Sequence, residues 1–299
     1  MMVRLNKCFL TKKIEDLIKN MDIIKIYSEL CRENNIPFSV NNSVSPYDTT
    51  TLFCPAGMQQ FKSNFIDTNY YGTRANIQSC IRLNDFNEIG DGTHLAYFNM
   101  IGLFSFRDMS VEMAIDFFVE FMKRIGIKID HATVHQDKKE WDNFYKKHKI
   151  KVKIDNECLW SDGNIGGYCT EFYHKGIEIG NIVNPLGTCI DVGFGYERLD
   201  SIVNGIIKNN KIDLLKECAL KIIEAGYKPS NTKQGYVLRK ILRELYKSNN
   251  DFDIPFFKEE INRQNKILLK YNRLKENNKD KDRDWWYQTH GIDIEDLIK

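Results

Sequence analysis

Residues 76–106 read NIQSCIRLNDFNEIGDGTHLAYFNMIGLFSF, which is two strand-like runs with a polar link between them. We predict strands over 77–83 and 94–101, joined as a hairpin through 84–92. Side chains along a strand point alternately to the two faces of the sheet, so every second residue lies on the same face. The two faces that would coincide carry Gln78, Cys80 and Arg82 on the first strand and His94, Ala96, Phe98 and Met100 on the second.

The residue types on these faces suit a nucleotide. A guanidinium such as that of Arg82 binds phosphate, and a ring such as that of Phe98 stacks on a base. The alternative is an ordinary hairpin that buries Phe98 in the core. Spacing alone favours this alternative, because arginine and phenylalanine are common residues.

A second informative stretch is CIDVGFGYERLDSI, residues 189–202. In a strand, Asp191, Gly193 and Gly195 share a face, and the two glycines let a ligand approach the backbone closely. Asp191 beside that bare patch suits an ammonium group. The pattern is not a dinucleotide-binding Gly-x-Gly-x-x-Gly, because Arg198 stands at the last glycine position. The alternative is a glycine-rich strand bend followed by a solvated arginine.

The remaining pattern indicates the fold class. Apolar periodicity predicts helices over 12–34 and 110–125, and Ser110 can cap the second of these. It also predicts a strand-rich stretch over 150–196 and helices over 212–225, 234–248 and 256–275. A further apolar stripe contains Leu199, Ile202, Val203 and Ile206. This order lacks the regular alternation of a parallel sheet. We therefore predict an α+β protein, with an antiparallel sheet flanked by helices and followed by a helical C-terminal region.

Composition narrows the function classes. The 299 residues are 42% hydrophobic and 28% charged, with a formal net charge of +2. A strongly basic surface for nucleic acid is therefore not expected over the whole chain. We find no apolar run of about 18 residues and no apolar block in residues 1–10. A cytoplasmic protein without a membrane partner is expected.

The eight cysteines are scattered and form no Cys-x-x-Cys pair, which predicts reduced, mostly buried thiols and no zinc ligands. They are Cys8, Cys31, Cys54, Cys80, Cys158, Cys169, Cys189 and Cys218. His131 and His135 are four residues apart but lack the glutamate of a His-Glu-x-x-His motif. We interpret them as a surface or packed pair.

Seven segments occur in the order found in alanyl-tRNA synthetases, and the resemblance runs from about Ile23 to Arg243, more weakly to Gly291. They are GMQQFKSNF (57–65), QSCIRLND (78–85), THLAYFNMIGLFSF (93–106), ECLWSDGNIGGYCTEFY (157–173), EIGNIV (178–183), IDVGFGYERL (190–199) and PSNTKQGYVLRKILREL (229–245). These enzymes are class II synthetases with an active site on an antiparallel sheet. The resemblance implies ATP, Mg²⁺ and a small amino acid, alanine or a similar one.

The resemblance also implies residue roles. Arg82 and Arg198 resemble the catalytic arginines of motifs 2 and 3, which hold the α- and γ-phosphates. The implied ATP-binding residues are Met58, Arg82, His94, Phe98 and Arg198. The implied amino-acid-binding residues are Trp160, Asn181, Val183, Asp191 and Gly193. The alternatives are plain packing for Met58, Trp160 and Val183.

Residues 1–205 resemble the catalytic domain, with an N-terminal extension over 1–20, and residues 206–299 resemble a trimmed helical tRNA-recognition domain. Asn231, Arg239 and Arg243 lie in the part that resembles an acceptor-stem reader, and with Lys247 the arginines form a basic stripe on a predicted helix. The alternative is an ordinary solvated helix face.

The chain departs from the family in several places. The loop after Arg82 lacks the usual phosphate-side lysine, and Asn99 stands where a glutamate is expected. Tyr168 replaces part of a Cys-rich segment. We find no counterpart of the editing domain or of the C-terminal oligomerisation domain, and the sequence does not predict an oligomeric state.

Three hypotheses remain at this stage. The first is an alanine–tRNA ligase. The second is a paralogue that passes an activated small amino acid to a carrier protein or a biosynthetic intermediate. The third is a binding remnant without catalysis, which the retained Arg82, Asp191 and Arg198 disfavour. The trimmed helical region and the missing editing domain favour the second hypothesis, whereas the segment 229–245 with Asn231 favours the first, which we prefer.

Overall fold

The structure is a computed structural model that describes residues 21–84, 86–248, 251–294 and 297. The predicted N-terminal extension, Cys8 and the first part of the helix predicted over 12–34 lie outside these residues. Two compact units divide between Asn209 and Asn210. Among the described residues, we find no helix with the length and hydrophobicity needed to cross a bilayer.

The described part of the first unit contains nine strands and five α-helices. The strands are β1 Phe38–Asn41, β2 Gly72–Ile81, β3 Tyr97–Phe106, β4 His131–Val134, β5 Lys151–Ile154, β6 Leu159–Asp162, β7 Ile165–His174, β8 Ile177–Val183 and β9 Cys189–Gly195. The helices are α1 Ile23–Glu33, α2 Lys62–Ile66, α3 Val111–Arg124, α4 Asp142–Lys146 and α5 Tyr196–Val203. Short 3-10 turns lie at Gly57–Phe61, Gln136–Trp141 and Pro185–Gly187.

The strands form one mixed sheet in the order β1-β2-β3-β9-β8-β7-β4-β5, with β6 paired to β7. Every neighbouring pair from β2 to β4 in this order is antiparallel. The edge strands β1 and β5 pair in parallel with β2 and β4. The predicted α+β class is confirmed, and the parallel edge pairs are an addition to the predicted antiparallel sheet.

The hairpin predicted from residues 76–106 is present, with Cys80 opposite Phe98 and Gln78 opposite Met100. The strand boundaries differ from the prediction, because β2 ends at Ile81 and β3 begins at Tyr97. One further backbone bond, from the Arg82 amide to the Ala96 carbonyl at 3.1 Å, continues the ladder. Arg82 therefore keeps its place on the face that it shares with Cys80.

The helices α1 and α3 cover one face of the sheet. Tyr27 is fully buried among aromatic rings of α3, and its hydroxyl donates to the Gly102 carbonyl at 3.0 Å. Phe118 stacks on Phe194 of β9 with ring centroids 4.8 Å apart. Apolar residues at alternate strand positions, such as Ile101, complete this core. The opposite face of the central strands remains for the candidate site.

Helix caps agree with the sequence where the structure describes them. Ser110 caps α3 as predicted, accepting from the Met113 amide at 3.2 Å. The helix α1 begins at Ile23 because the Asp22 carboxylate accepts from the Lys25 amide at 2.9 Å. Residues 21 and 22, which the predicted helix over 12–34 included, are therefore not helical.

The second unit is helical, as predicted. Its helices are α6 Lys211–Glu224, α7 Lys233–Tyr246, α8 Phe257–Lys275 and α9 Arg283–His290. Leu215, Cys218 and Leu242 are fully buried. The predicted apolar stripe from Leu199 to Ile206 is shorter than expected, because α5 ends at Val203 and Ile206 is half exposed. The assignment of domains at residue 205 and their roles stay predictions.

Candidate active site

A cavity of about 500 Å³ opens on the uncovered face of the sheet. It lies over the ends of β2 and β3, the strands β8 and β9, and the first turn of α5. All ten residues predicted for ATP and amino-acid binding line it, and they are Met58, Arg82, His94, Phe98, Trp160, Asn181, Val183, Asp191, Gly193 and Arg198. The fold therefore brings together side chains from segments more than 100 residues apart.

Arg82 and Phe98 form one part of the cavity. The Arg82 guanidinium lies over the Phe98 ring at 5.2 Å from its centroid, and its Nε donates to the Pro55 carbonyl at 2.8 Å. These two contacts hold the planar guanidinium in one orientation. The arrangement offers a flat surface beside a positive charge, as a nucleotide requires.

His94 lies at the rim of the cavity and not on the strand where it was predicted. Its Nδ1 lies 2.7 Å from an Asp91 carboxylate oxygen, and its Nε2 lies 3.5 Å from Glu88. Hydrogen bonds from the backbone and ring of His94 and from the Thr93 amide lower the pKa of Asp91 to about 2. The acidic loop that follows Arg82 therefore holds this imidazole, a role that the sequence analysis missed.

Arg198 extends from the first turn of α5 toward β8. Its Nη1 donates to the Glu178 carbonyl at 2.8 Å and lies 3.9 Å from the Glu178 carboxylate. Burial and the nearby Glu171 raise the pKa of Glu178, which the charges of Arg198 and Arg82 partly offset. Glu178 lines the cavity but was not predicted. Its signal in the sequence was its place in the matched segment EIGNIV.

Asp191 lines the cavity and is partly buried. Burial raises the pKa of its carboxyl to about 7. Among the described residues, we find no hydrogen bond or ion pair to this carboxylate. A partly buried carboxylate without a protein partner is stabilised in its ionised form when a cation joins it. Asp191 therefore suits the ammonium group of an amino acid.

The neighbours of Asp191 define the space available to a ligand. The strand register places Val183 opposite Asp191 and Asn181 opposite Gly193. A Cβ atom on Gly193 would lie 3.3 Å from the Met100 sulfur and 3.8 Å from the Asn181 side-chain oxygen. The missing Cβ therefore leaves the floor of the cavity open at this position, which agrees with the close approach that the sequence predicts.

Trp160 and Val183 form an apolar wall. Val183 is 3% exposed and packs with Trp160, Cys158 and Cys169. Met58 is also 3% exposed and belongs to another apolar cluster, which contains Phe104. The structure thus places all three predicted apolar residues at the cavity, although packing accounts for most of the surface of Val183 and Met58.

The unusual Asn99 has a partner at the cavity edge. The Asn99 backbone amide donates to both Glu197 oxygens at 2.9 and 3.1 Å, and its side-chain amide donates to one of them at 3.0 Å. Burial raises the pKa of Glu197, and the bonds from Asn99 oppose this rise. A glutamate at position 99 would place a second carboxylate against Glu197. This contact explains why an amide suits this chain.

The predicted basic stripe on α7 is not a uniformly solvated surface. Arg243 is 7% exposed, and the Arg239 Nε lies 3.2 Å from a carboxylate oxygen of Glu260, which is 3% exposed. Arg239 also hydrogen-bonds to Asn231. Lys247 is exposed and pairs with Glu244 at 2.9 Å. The stripe is therefore not solvated at Arg243, and a tRNA contact at these residues stays a prediction.

The fold and the cavity agree with a family match. Residues 38–204 match the family model described as tRNA synthetases class II (A). This range holds the central sheet and all ten cavity residues considered above. The chain belongs to the class II tRNA synthetases.

Its curated relatives are alanine–tRNA ligases. The enzyme from Buchnera aphidicola is 31% identical over 69% of this chain and 33% of the relative, and that from Chlamydia muridarum is 29% identical over 80% and 36%. The chain thus spans about a third of the length of these relatives. Among solved structures, it resembles apo histidyl-tRNA synthetase from S. aureus, with a TM-score of 0.44 and 13% identity over 62% of this chain and 66% of that one. The resemblance inferred from the seven segments is confirmed.

Proposed function

We propose that this chain activates alanine with ATP, forming alanyl-adenylate and pyrophosphate, and transfers the alanyl group to tRNA. The observation that supports this most strongly is the single cavity that holds Arg82, Phe98, Arg198 and Asp191. Family membership adds support, because alanine–tRNA ligases are among the relatives.

The proposed chemistry requires no general base on the protein. The alanine carboxylate is already ionised, and its oxygen attacks the α-phosphorus while pyrophosphate leaves. Asp191 binds the α-ammonium and thereby orients the carboxylate. Arg82 stabilises the charge that develops at the α-phosphate, with Phe98 as the adenine platform, and Arg198 binds the distal phosphates.

A magnesium ion fits this proposal. Mg²⁺ binds through one or two carboxylates together with substrate phosphates. Glu178 offers a carboxylate at the cavity beside Arg198, where the distal phosphates are proposed to lie. When bound, the ion neutralises charge on the phosphates.

The amino-acid pocket suits a small side chain. Trp160 and Val183 bound it, and Val183 lies opposite Asp191 in the strand register. Such a pocket excludes large side chains by contact, whereas it discriminates against an added hydroxyl by only about 10²-fold. We therefore expect alanine to be preferred and serine to be the main competing substrate.

A second candidate is a paralogue that transfers the activated small amino acid to a carrier protein or a biosynthetic intermediate. The ion pair of Arg239 and the burial of Arg243 favour this second candidate, because these side chains were the predicted acceptor-stem contacts. The retained segment that contains Asn231 favours tRNA. We propose tRNA as the acceptor and keep the carrier protein or biosynthetic intermediate as the second candidate.

Two assays on the purified full chain separate these possibilities. ATP–pyrophosphate exchange across all amino acids tests activation and identifies the substrate. Aminoacylation of tRNA with that amino acid tests the acceptor. Exchange with alanine together with tRNA charging supports the first proposal, exchange without charging supports the second, and the absence of exchange with every amino acid contradicts both.

A further inference from the structure

Two cysteines and a glutamate converge behind the amino-acid pocket. Cys158 directly precedes β6, and Cys169 and Glu171 lie on one face of β7 because they are two residues apart. The Cys169 amide donates to the Cys158 carbonyl at 3.0 Å, which fixes the two segments side by side. The two sulfur atoms and a Glu171 carboxylate oxygen all lie within 4.8 Å of one another.

The cluster is buried and lined by polar atoms. Cys158 and Cys169 are 1% and 3% exposed. The Thr133 hydroxyl lies 3.0 Å from the Cys158 sulfur and 3.4 Å from the Glu171 carboxylate. The Tyr173 hydroxyl donates to the same carboxylate oxygen at 2.7 Å and orients it. Partner groups of this kind orient the ligands in metal sites.

The donor types of the cluster, two thiols and one carboxylate, suit zinc. Zinc binds thiolate and carboxylate together, and its tetrahedral coordination needs four donors.

We propose that Cys158, Cys169 and Glu171 bind a zinc ion, with a fourth position for water or the Thr133 hydroxyl. The sequence analysis predicted no zinc ligands, because the cysteines are scattered in sequence. The antiparallel pairing of β6 with β7 brings two of them together.

The proposed ion would fix a wall of the cavity. Trp160 is two residues beyond Cys158, and Cys169 lies opposite Val183 on β8. These four residues also pack as one apolar cluster. A zinc ion at the cluster would therefore hold Trp160 and Val183 in place. The site itself does not depend on the proposed function, since metal content is measured without any substrate.

Zinc content of the full chain tests the site. The protein is reduced with a phosphine, loaded with excess zinc and freed of unbound metal by gel filtration. We expect about one zinc ion per chain in the wild type and at most about a tenth of that in Cys158→Ser and Cys169→Ser. Cys218→Ser is the matched control, because Cys218 is a fully buried thiol in α6. Equal zinc contents in all four proteins, or a wild type without zinc, would overturn the proposal.

Cobalt provides a second measurement if the serine variants do not fold. We expect a wild-type titration to show a thiolate-to-cobalt charge-transfer band that saturates at about one equivalent. Glu171→Gln preserves the size of the side chain, and we expect it to weaken cobalt binding at least about tenfold. A spectrum without thiolate bands, or a Cys158–Cys169 disulfide in the freshly reduced protein, contradicts the site.

Discussion

Asp191 combines a cost to the folded protein with a proposed role in binding. Its carboxyl lies in the cavity with a pKa near 7, and burial alone causes this rise. Polar groups buried without partners are tolerated at functional sites, where a ligand completes their environment. An ammonium group supplies the missing charge. At the residue scale, therefore, the proposed ligand would offset the cost of this carboxyl.

The pH dependence of amino-acid use follows from this pKa. Below pH 7 the Asp191 carboxyl is increasingly protonated and cannot pair with an ammonium group. We expect kcat/KM for the amino acid to rise from pH 5.5 with a midpoint near pH 7 and to level off above about pH 8. In Asp191→Asn this rise should disappear and KM should increase. His94, Glu178 and Glu197 remain in that variant, so a wild-type profile that persists in it would contradict the assignment.

The free energy of unfolding should fall as Asp191 loses its proton, whereas amino-acid use should rise. A carboxyl pKa that is higher in the folded than in the unfolded state contributes stability at low pH, and this contribution is lost as pH rises from about 4 to 7. A rise from 3.8 to about 7 corresponds to at most about 4 kcal/mol, and water in the open cavity reduces it to roughly 2 kcal/mol. Asp191→Asn should therefore gain stability relative to wild type between pH 4 and pH 8. Urea unfolding at both values measures this gain, and a constant difference would exclude it.

At the scale of elements, β3 and α5 are joined by the carboxylate of Glu197 and by the backbone and side-chain amides of Asn99. Glu197 accepts three hydrogen bonds from Asn99 while it is 8% exposed. The same connection positions Arg198, the next residue of α5. The departure from the family at position 99 is therefore matched to Glu197 in this chain.

Asn99→Glu should destabilise the protein in a pH-dependent way. Two carboxylates would meet in a buried place, and we expect a loss of about 2–4 kcal/mol at pH 8 that shrinks toward pH 5 as one proton is shared. Asn99→Gln has the same length without the charge and is the matched control. The urea unfolding midpoints of both variants at pH 5 and pH 8 measure these losses of stability. If the glutamate and glutamine variants lose equal stability at both values, the charge is not the cause.

The sequence could predict elements whose cause is local. The hairpin of β2 and β3 followed from period-two alternation and a short polar link, and α3 followed from its apolar face and the Ser110 cap. The parallel pairing of β1 with β2 and of β5 with β4 could not be predicted, because it depends on contacts between distant segments. Glu178 was missed for the same reason. Only the assembled sheet shows that it lines the cavity.

At the scale of the whole molecule, the two units differ in where they place polar and charged groups. The first presents a polar cavity on one face of its sheet. The second buries a charged group, Glu260, between its helices. Glu260 accepts hydrogen bonds from Arg263 at 2.8 Å and from Gln264 at 3.0 Å, and it forms an ion pair with Arg239. Although burial raises the pKa of Glu260, these hydrogen bonds and the two arginine charges outweigh it and lower the pKa.

Glu260→Ala should weaken the second unit. It leaves Arg239, whose side chain is 15% exposed, without its buried carboxylate partner, and we expect a loss of about 3 kcal/mol. Hydrogen exchange of the α7 and α8 amides in the full chain measures this loss. Glu259→Ala, at an exposed position of the same helix turn, should change little. Equal exchange in the two variants would contradict the importance of the buried pair.

Alanine-dependent ATP–pyrophosphate exchange in Arg82→Ala tests the central claim most directly. Arg74→Ala, in β2 but outside the cavity, is the control. We predict that the wild type and Arg74→Ala exchange alike, while Arg82→Ala loses roughly 2–4 kcal/mol of transition-state stabilisation. Undiminished exchange in Arg82→Ala would contradict the claim that this cavity activates an amino acid with ATP.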